Sequence, residues 1–332
     1  MTEAVKRESS PREIATFLFV AFTTSWVLWI LGIRAGAPAE MLIFGAAGPA
    51  LAAAVMRMRQ PEESTSSPRR FPAGLFLLLT AAGWAAQVLA AAARTRSQSL
   101  SWHPLLLLAA VVSPLSAARL YASGDIRPEW SRWALIAVLS MPAFLLIPAG
   151  IAHFTHLPVV QPRPNESVLM TIGVSAVLFT KEFLFAGLLE ESGWRGWLLP
   201  RHQQRWSPLV ASLFVWLPWA LWHAPLGFTG GVGSTWMNYI QVRVVFFIAI
   251  SILLTWLFNR SGGSIVVVSL FHAAFNTFPF VLPYSPPFLV LILVWSIWVV
   301  IADRMWRSPK AVSSASASGE IHLHGAQAAG SR

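Results

Sequence analysis

The sequence repeatedly produces apolar runs of a length that few folds can absorb. About ten are separable: Ile14–Ile33, Met41–Met56, Phe71–Ala93, Trp102–Leu120, Trp133–His153, Val168–Leu199, Leu209–Leu226, Tyr239–Phe258, Ser264–Phe280 and Pro287–Ala302. A run of roughly 18 or more apolar residues reads as a transmembrane helix. Inside a bilayer the backbone must satisfy its own hydrogen bonds, so such runs become helices. The expected fold is therefore all-α, a polytopic membrane bundle of about 8–10 spans. Val168–Leu199 is too long for one simple span. Composition agrees: 11% of the 332 residues are charged and 55% are hydrophobic, against about 25% charged in soluble domains. The 17 tryptophans suit a protein with two membrane interfaces to anchor.

The first run follows Lys6, Arg7 and Arg12 and precedes small residues at Ala35–Ala39, the arrangement of a secretory signal. Its apolar stretch exceeds the roughly 7–15 residues of a signal core, so it is read as a retained membrane helix. The formal charge of +10 is not gathered into a nucleic-acid face. Arg57, Arg59, Arg69, Arg70, Arg201, Arg205, Arg260, Arg304, Arg307 and Lys310 sit between the runs. With ten spans they fall on one side together with the N-terminus, which predicts cytoplasmic termini in a multi-pass cell-membrane protein. Arg94, Arg96 and Arg163 fall on the other. Membrane lipids are the expected surroundings, with no nucleic-acid partner. The absence of cysteine excludes disulfides, thiolate metal sites and a cysteine nucleophile. After Lys310 the chain becomes Ser/Ala/Gly-rich and is expected to be a disordered tail, 306–332, in which His322 and His324 are solvated.

Charged groups within spans are costly and mark function by default. Glu190, Glu191 and Arg195 lie in LLEESGWRGWLLP. Glu191 and Arg195, four residues apart, share a helix face and are placed to pair. Glu190 points about 100° away and is expected to be left free for chemistry. Two further pairs at the same spacing follow, Trp219 with His223 and His272 with Asn276, each on one face of its helix. If the three helices start at the cytoplasmic side, Glu190 and His272 lie roughly 15 Å deep and His223 roughly 25 Å, all within a hydrocarbon core about 30 Å thick. Three helices are thus able to bring these groups to one hydrated cavity.

A carboxylate, two imidazoles and a carboxamide suffice for hydrolysis. The glutamate acts as general base on water, a histidine shares the proton or holds the water, and the other histidine and the asparagine donate to the oxyanion of a tetrahedral intermediate. Glu190, His223 and His272 are equally a candidate set for a divalent metal such as zinc, with water as a further ligand. No HExxH run is present. Each feature also has a plain structural reading. Glu191–Arg195 is then an ion pair only, His223 a helix-end cap before Pro225, and His272–Asn276 interhelical glue. Trp219 reads as a cavity wall and Lys181 with Glu182 as interfacial. His103, His153 and His156 lie near helix ends.

At these positions the chain resembles the CPBP family of intramembrane proteases, also called the Abi or CAAX-protease family. The resemblance rests on EExxxR at Glu190, Glu191 and Arg195, extended by GWLLP; on the aromatic-xxx-His segment Trp219–His223, followed by Ala224 and Pro225; and on HxxxN at His272 and Asn276. It covers about Thr180 to Phe278, and none of the three motifs is altered. It implies an intramembrane endopeptidase in which Glu190 and His223 activate water, Glu191 and Arg195 support the site, and His272 and Asn276 steady the oxyanion. The family is described as metalloproteases, although a metal-free glutamate mechanism has also been argued for it. Eukaryotic members trim prenylated CAAX proteins, so the expected partner is a membrane-associated protein or peptide. Many bacterial members act elsewhere, including in bacteriocin self-immunity. The expected division is N-terminal spans of unassigned role over 1–165 and a protease core over 166–305. Competing readings are a proton-coupled transporter, disfavoured because the ionisable motifs occupy one half of the chain, and a non-catalytic scaffold.

Overall fold

The computed structural model describes residues 10–34, 42–59, 74–83, 112–117, 130–162, 166–228 and 246–307. The longer helices are α1 (Pro11–Arg34), α2 (Gly48–Met58, entered through the 3₁₀ turn Ile43–Ala47), α3 (Trp130–Phe154) and α4 (Val168–Gln203). They continue with α5 (Pro208–Trp222), α6 (Phe247–Arg260), α7 (Ile265–Thr277) and α8 (Phe288–Ala302). A shorter helix covers Gly74–Gly83. Among the described residues there is no strand, only an isolated bridge between Val160 and Tyr284. Several expectations lie outside the described residues: the apolar runs after 83, before 112 and at 239–245, residues Lys6, Arg7, Arg69, Arg70, Arg94, Arg96, His103, Arg163 and Lys310, and the tail carrying His322 and His324.

Local chemistry sets the helix starts. Ser10 and Glu13 form a reciprocal capping box on α1: the Ser10 N–H donates to Glu13 Oε2 (2.7 Å) and the Glu13 N–H to Ser10 Oγ (3.3 Å). Ser167, Ser207 and Ser264 cap α4, α5 and α7 by accepting from the N–H three residues on. The ends are set by proline and glycine. The helices α5 and α7 stop short of the apolar runs that contain them and finish in 3₁₀ turns, Ala224–Phe228 and Phe278–Phe280. Pro225 and Pro279 explain this, because a proline disfavours helical geometry in the residue before it. Gly262 and Gly263, at φ 68° and 86°, fold the chain from α6 back into α7 with conformations that suit glycine.

The surface is inverted relative to a water-soluble protein. Phe19, Val168, Leu169 and Val177 are each at least 70% exposed, whereas Glu190, Glu191, Arg195, His223 and His272 are at most 5% exposed. An apolar exterior, with the few ionisable groups held inside the bundle, is what a bilayer favours. Pro11–Arg34, Ser131–Phe154 and Val168–Gln203 are long and apolar enough to cross one.

Basic residues collect at one end. Gln203 at the end of α4 donates to Asn259 at the end of α6 (3.2 Å), the Leu209 N–H of α5 donates to Met305 O (2.9 Å), and Arg260 pairs with Asp303. Phe17 near the start of α1 stacks on Trp197 near the end of α4 (4.5 Å). Helix α2 runs antiparallel to α1, since Leu42 accepts from Trp29 while Gly48 abuts Ala21 and Ser25. Arg12, Arg57, Arg59, Arg201, Arg205, Arg260, Arg304 and Arg307 therefore share one end of the bundle.

Helix α4 is the axis of the site. It is a single helical rod of 36 residues, but two π turns, Phe183–Leu188 and Trp194–Leu198, flank the α turn Leu189–Gly193. Such insertions reset the phase of the residues on either side and recur at functional sites. Close neighbours hold this turn. A Cβ on Gly193 would collide with the Pro49 backbone of α2, and one on Gly187 with the Ser269 backbone of α7. The N-terminal helices thus brace the rod at the turn that carries the glutamates.

Candidate active site

The two adjacent glutamates of α4 engage different helices, as the angular offset between neighbouring helical positions predicts. Glu191, fully buried, faces α7. Its Oε1 accepts from Arg195 Nη1 (3.1 Å) and lies 2.7 Å from His272 Nδ1. The second guanidinium nitrogen, Arg195 Nη2, donates to Ser251 Oγ of α6 (3.2 Å), and Ser251 donates onward to the Ser212 carbonyl of α5 (2.9 Å). The guanidinium also lies over the Trp219 ring, 4.7 Å from its centre, a favourable cation–π placement. One carboxylate therefore ties together α4, α6 and α7. Two atoms of this cluster, Glu191 Oε2 and Arg195 Nε, are buried with no protein partner.

Glu190 faces α5. Its Oε2 accepts from the Trp219 indole (2.8 Å) and stands 4.0 Å from His223 Nε2. The expectation that Glu190 is left free is thus corrected: it accepts the indole N–H of Trp219, because its face of α4 is turned to α5. His223 sits at the C-cap of α5, and its Nδ1 is 2.8 Å from the Trp219 carbonyl. A carbonyl oxygen only accepts, so Nδ1 carries a proton, and Nε2 is the ring nitrogen turned toward Glu190. The 4.0 Å gap is one that a single water about 2.8 Å from each partner can bridge. His223 therefore caps a helix end and also lies within one water of Glu190.

Trp219 joins the two sides. Its ring stacks on Phe247 (4.5 Å) and meets His223 and His272 edge-on at 5.8 and 5.7 Å. Read from sequence as a wall, it is that and a hydrogen-bond donor besides.

His272 is 2% exposed and turned inward. Asn276, one turn further along α7, is half-buried, and its Nδ2 donates to Glu182 Oε2 (3.0 Å). Glu182 in turn meets Lys181 Nζ through Oε1 (3.0 Å). Sequence reasoning placed Lys181 and Glu182 at an interface. The lysine is exposed, but the glutamate reaches inward to a motif residue. Ser251 was missed altogether, since nothing marks one serine in an apolar run. His153 lies in the last turn of α3 and His156 just beyond its end.

Glu190, His223 and His272 are the residues that would hold a divalent metal; among the described residues no group of three or more histidine, aspartate or glutamate side chains is placed to do so.

All these residues of α4, α5 and α7 fall inside one matched segment. Residues 172–278 match the family model described as Type II CAAX prenyl endopeptidase Rce1-like. The chain is also 33% identical, over 146 residues, to the CAAX prenyl protease 2 of Methanococcus maripaludis, an alignment covering 42% of this chain and 53% of that protein. The chain spans about half the length of the curated relative it matches. Over this segment the chain is similar to the Rce1-like CAAX prenyl endopeptidases, the same stretch that carries the three motifs of the sequence.

Proposed function

We propose that the chain is an intramembrane endopeptidase that hydrolyses a peptide bond of a membrane-associated protein, with water activated by Glu190 and His223. The observation that carries this reading is the 4.0 Å separation of Glu190 Oε2 from His223 Nε2, two buried groups on separate helices at a distance that one water can bridge. Glu190 takes a proton from that water as its oxygen attacks the carbonyl carbon. The developing oxyanion is received by the Asn276 carboxamide and by the Nε2 side of the His272 ring, which the Glu191–Arg195 pair orients. Collapse of the intermediate breaks the C–N bond, and Glu190 returns its proton to the leaving amine.

The name of the curated relative supports a finer proposal, that the substrate is a prenylated protein of CAAX type. The basic end of the bundle is proposed to face the cytoplasm, by the usual bias of Lys and Arg toward that side, in a multi-pass cell-membrane protein. The test is release of a C-terminal tripeptide from a prenylated CAAX peptide by the purified protein in liposomes, read by mass spectrometry. Cleavage that disappears in Glu190→Ala supports the reading, and cleavage at the normal rate by that variant refutes it. Cleavage only of other membrane peptides keeps the enzyme and rejects the CAAX substrate. Inhibition by a chelator, reversed by added zinc, would replace the metal-free scheme.

A further inference from the structure

Asn276 poses a problem that the remainder of the site does not solve. A carboxamide has two edges of nearly the same shape, one that donates and one that accepts. Only the N–H edge stabilises an oxyanion; the carbonyl edge repels it. His272, one turn away, has its Nδ1 occupied by Glu191. Glu182 is the group that meets Asn276, through Nδ2 to Oε2 at 3.0 Å.

We infer that Glu182 is a positioning residue that fixes the Asn276 carboxamide with its N–H edge toward the reacting peptide bond. The inference rests on the oxyanion role proposed above for Asn276. An ionised carboxylate only accepts, so it selects Nδ2 over Oδ1. Nδ2 carries two protons, and the bond to Glu182 uses one. The second is held in the carboxamide plane, available to the substrate. The backbone makes this bond rigid. Glu182 is the last residue before the π turn Phe183–Leu188, and within that turn Gly187 lies so close to Ser269 of α7 that a Cβ would meet the Ser269 carbonyl oxygen at 2.8 Å. The segment carrying Glu182 is therefore clamped against the helix that carries Asn276.

A bare carboxylate beside a developing oxyanion would oppose it. Lys181 offsets this charge, with Nζ 3.0 Å from Glu182 Oε1. The glutamate side chain retains 21% exposure and the lysine 46%, so this pair forms an open rim, unlike the enclosed Glu191–Arg195 pair. Its use lies in geometry rather than stability, because exposed ion pairs contribute about 0–1 kcal/mol.

The test is a double-mutant cycle in liposomes with a peptide substrate that the wild type cleaves. Glu182→Ala is expected to lower kcat roughly tenfold with KM within about twofold, the signature of an interaction made in the transition state. Glu182→Gln, whose side-chain carbonyl accepts the same N–H, should recover to within about threefold of wild type. Adding Glu182→Ala to Asn276→Ala should cost nothing further, because Glu182 acts through that carboxamide. Should Glu182→Ala not fold, Glu182→Met, of similar length and without a strong acceptor, takes its place in the cycle. Equal slowing by Glu182→Ala in both backgrounds, or a change confined to KM, overturns the inference while leaving a Glu190-dependent protease intact. A wild type that cleaves no peptide sinks the proposed function, and this inference with it.

Discussion

Glu190 and Glu191 are neighbours in sequence, and both are buried, yet their surroundings differ in kind. Glu191 is enclosed by Arg195, His272 and, through the guanidinium, Ser251. Its charge is matched by a fixed cation and ties three helices together. Glu190 has an indole N–H and, 4.0 Å away, the Nε2 of His223. The first environment suits a group that holds a structure, and the second a group that exchanges a proton with something small between it and a histidine. One α turn between two π turns presents both, so a single residue step separates scaffold from proposed chemistry.

The sharpest way to break this comparison is to remove each carboxylate in turn. Glu190→Ala should lower peptide cleavage by roughly 1,000-fold or more, since general base and water site vanish together, while the melting temperature in detergent changes little. Glu191→Ala should do the reverse first, destabilising the protein by about 3–5 kcal/mol, the usual consequence of orphaning a buried charge, read as a large drop in melting temperature. If the two variants exchanged these phenotypes, the assignment of roles would be inverted.

Two smaller changes refine the picture of the proposed chemistry. Asn276→Ala should slow cleavage about 100-fold, the size expected for one oxyanion donor; an unchanged rate removes it from the mechanism. Trp219→Phe keeps the ring against Phe247 but deletes the donor to Glu190. It should reduce the rate roughly 10- to 100-fold, in line with about 1.5–3 kcal/mol for a hydrogen bond to a charged group, with folding retained. An unaltered rate in Trp219→Phe would return this tryptophan to the role of a wall.

Much of this was legible in the sequence, for identifiable reasons. Local rules work inside one helix, so the Glu191–Arg195 pair and the divergence of Glu190 followed from spacing alone. Burial cost pointed to His223 and His272, because a span tolerates an ionisable group only where the protein partners it. The contacts not foreseen are those between residues far apart along the chain. Glu182 meets Asn276 across 94 positions, and Arg195 meets Ser251 across 56. The π turns compound this, since a regular 3.6-residue period carried from Glu182 to Glu190 gives the wrong relative phase. The helix lengths of α5 and α7 were overestimated because hydropathy continues past Pro225 and Pro279 while helical geometry does not.

The central claim is that Glu190 and His223 act on one and the same water. The most direct measurement is the cleavage rate of Glu190→Ala, His223→Ala and the double variant in liposomes under single-turnover conditions. Groups that work as a unit are grossly non-additive, so the double variant should be no slower than the slower single one. Losses that multiply across the two substitutions would contradict the account.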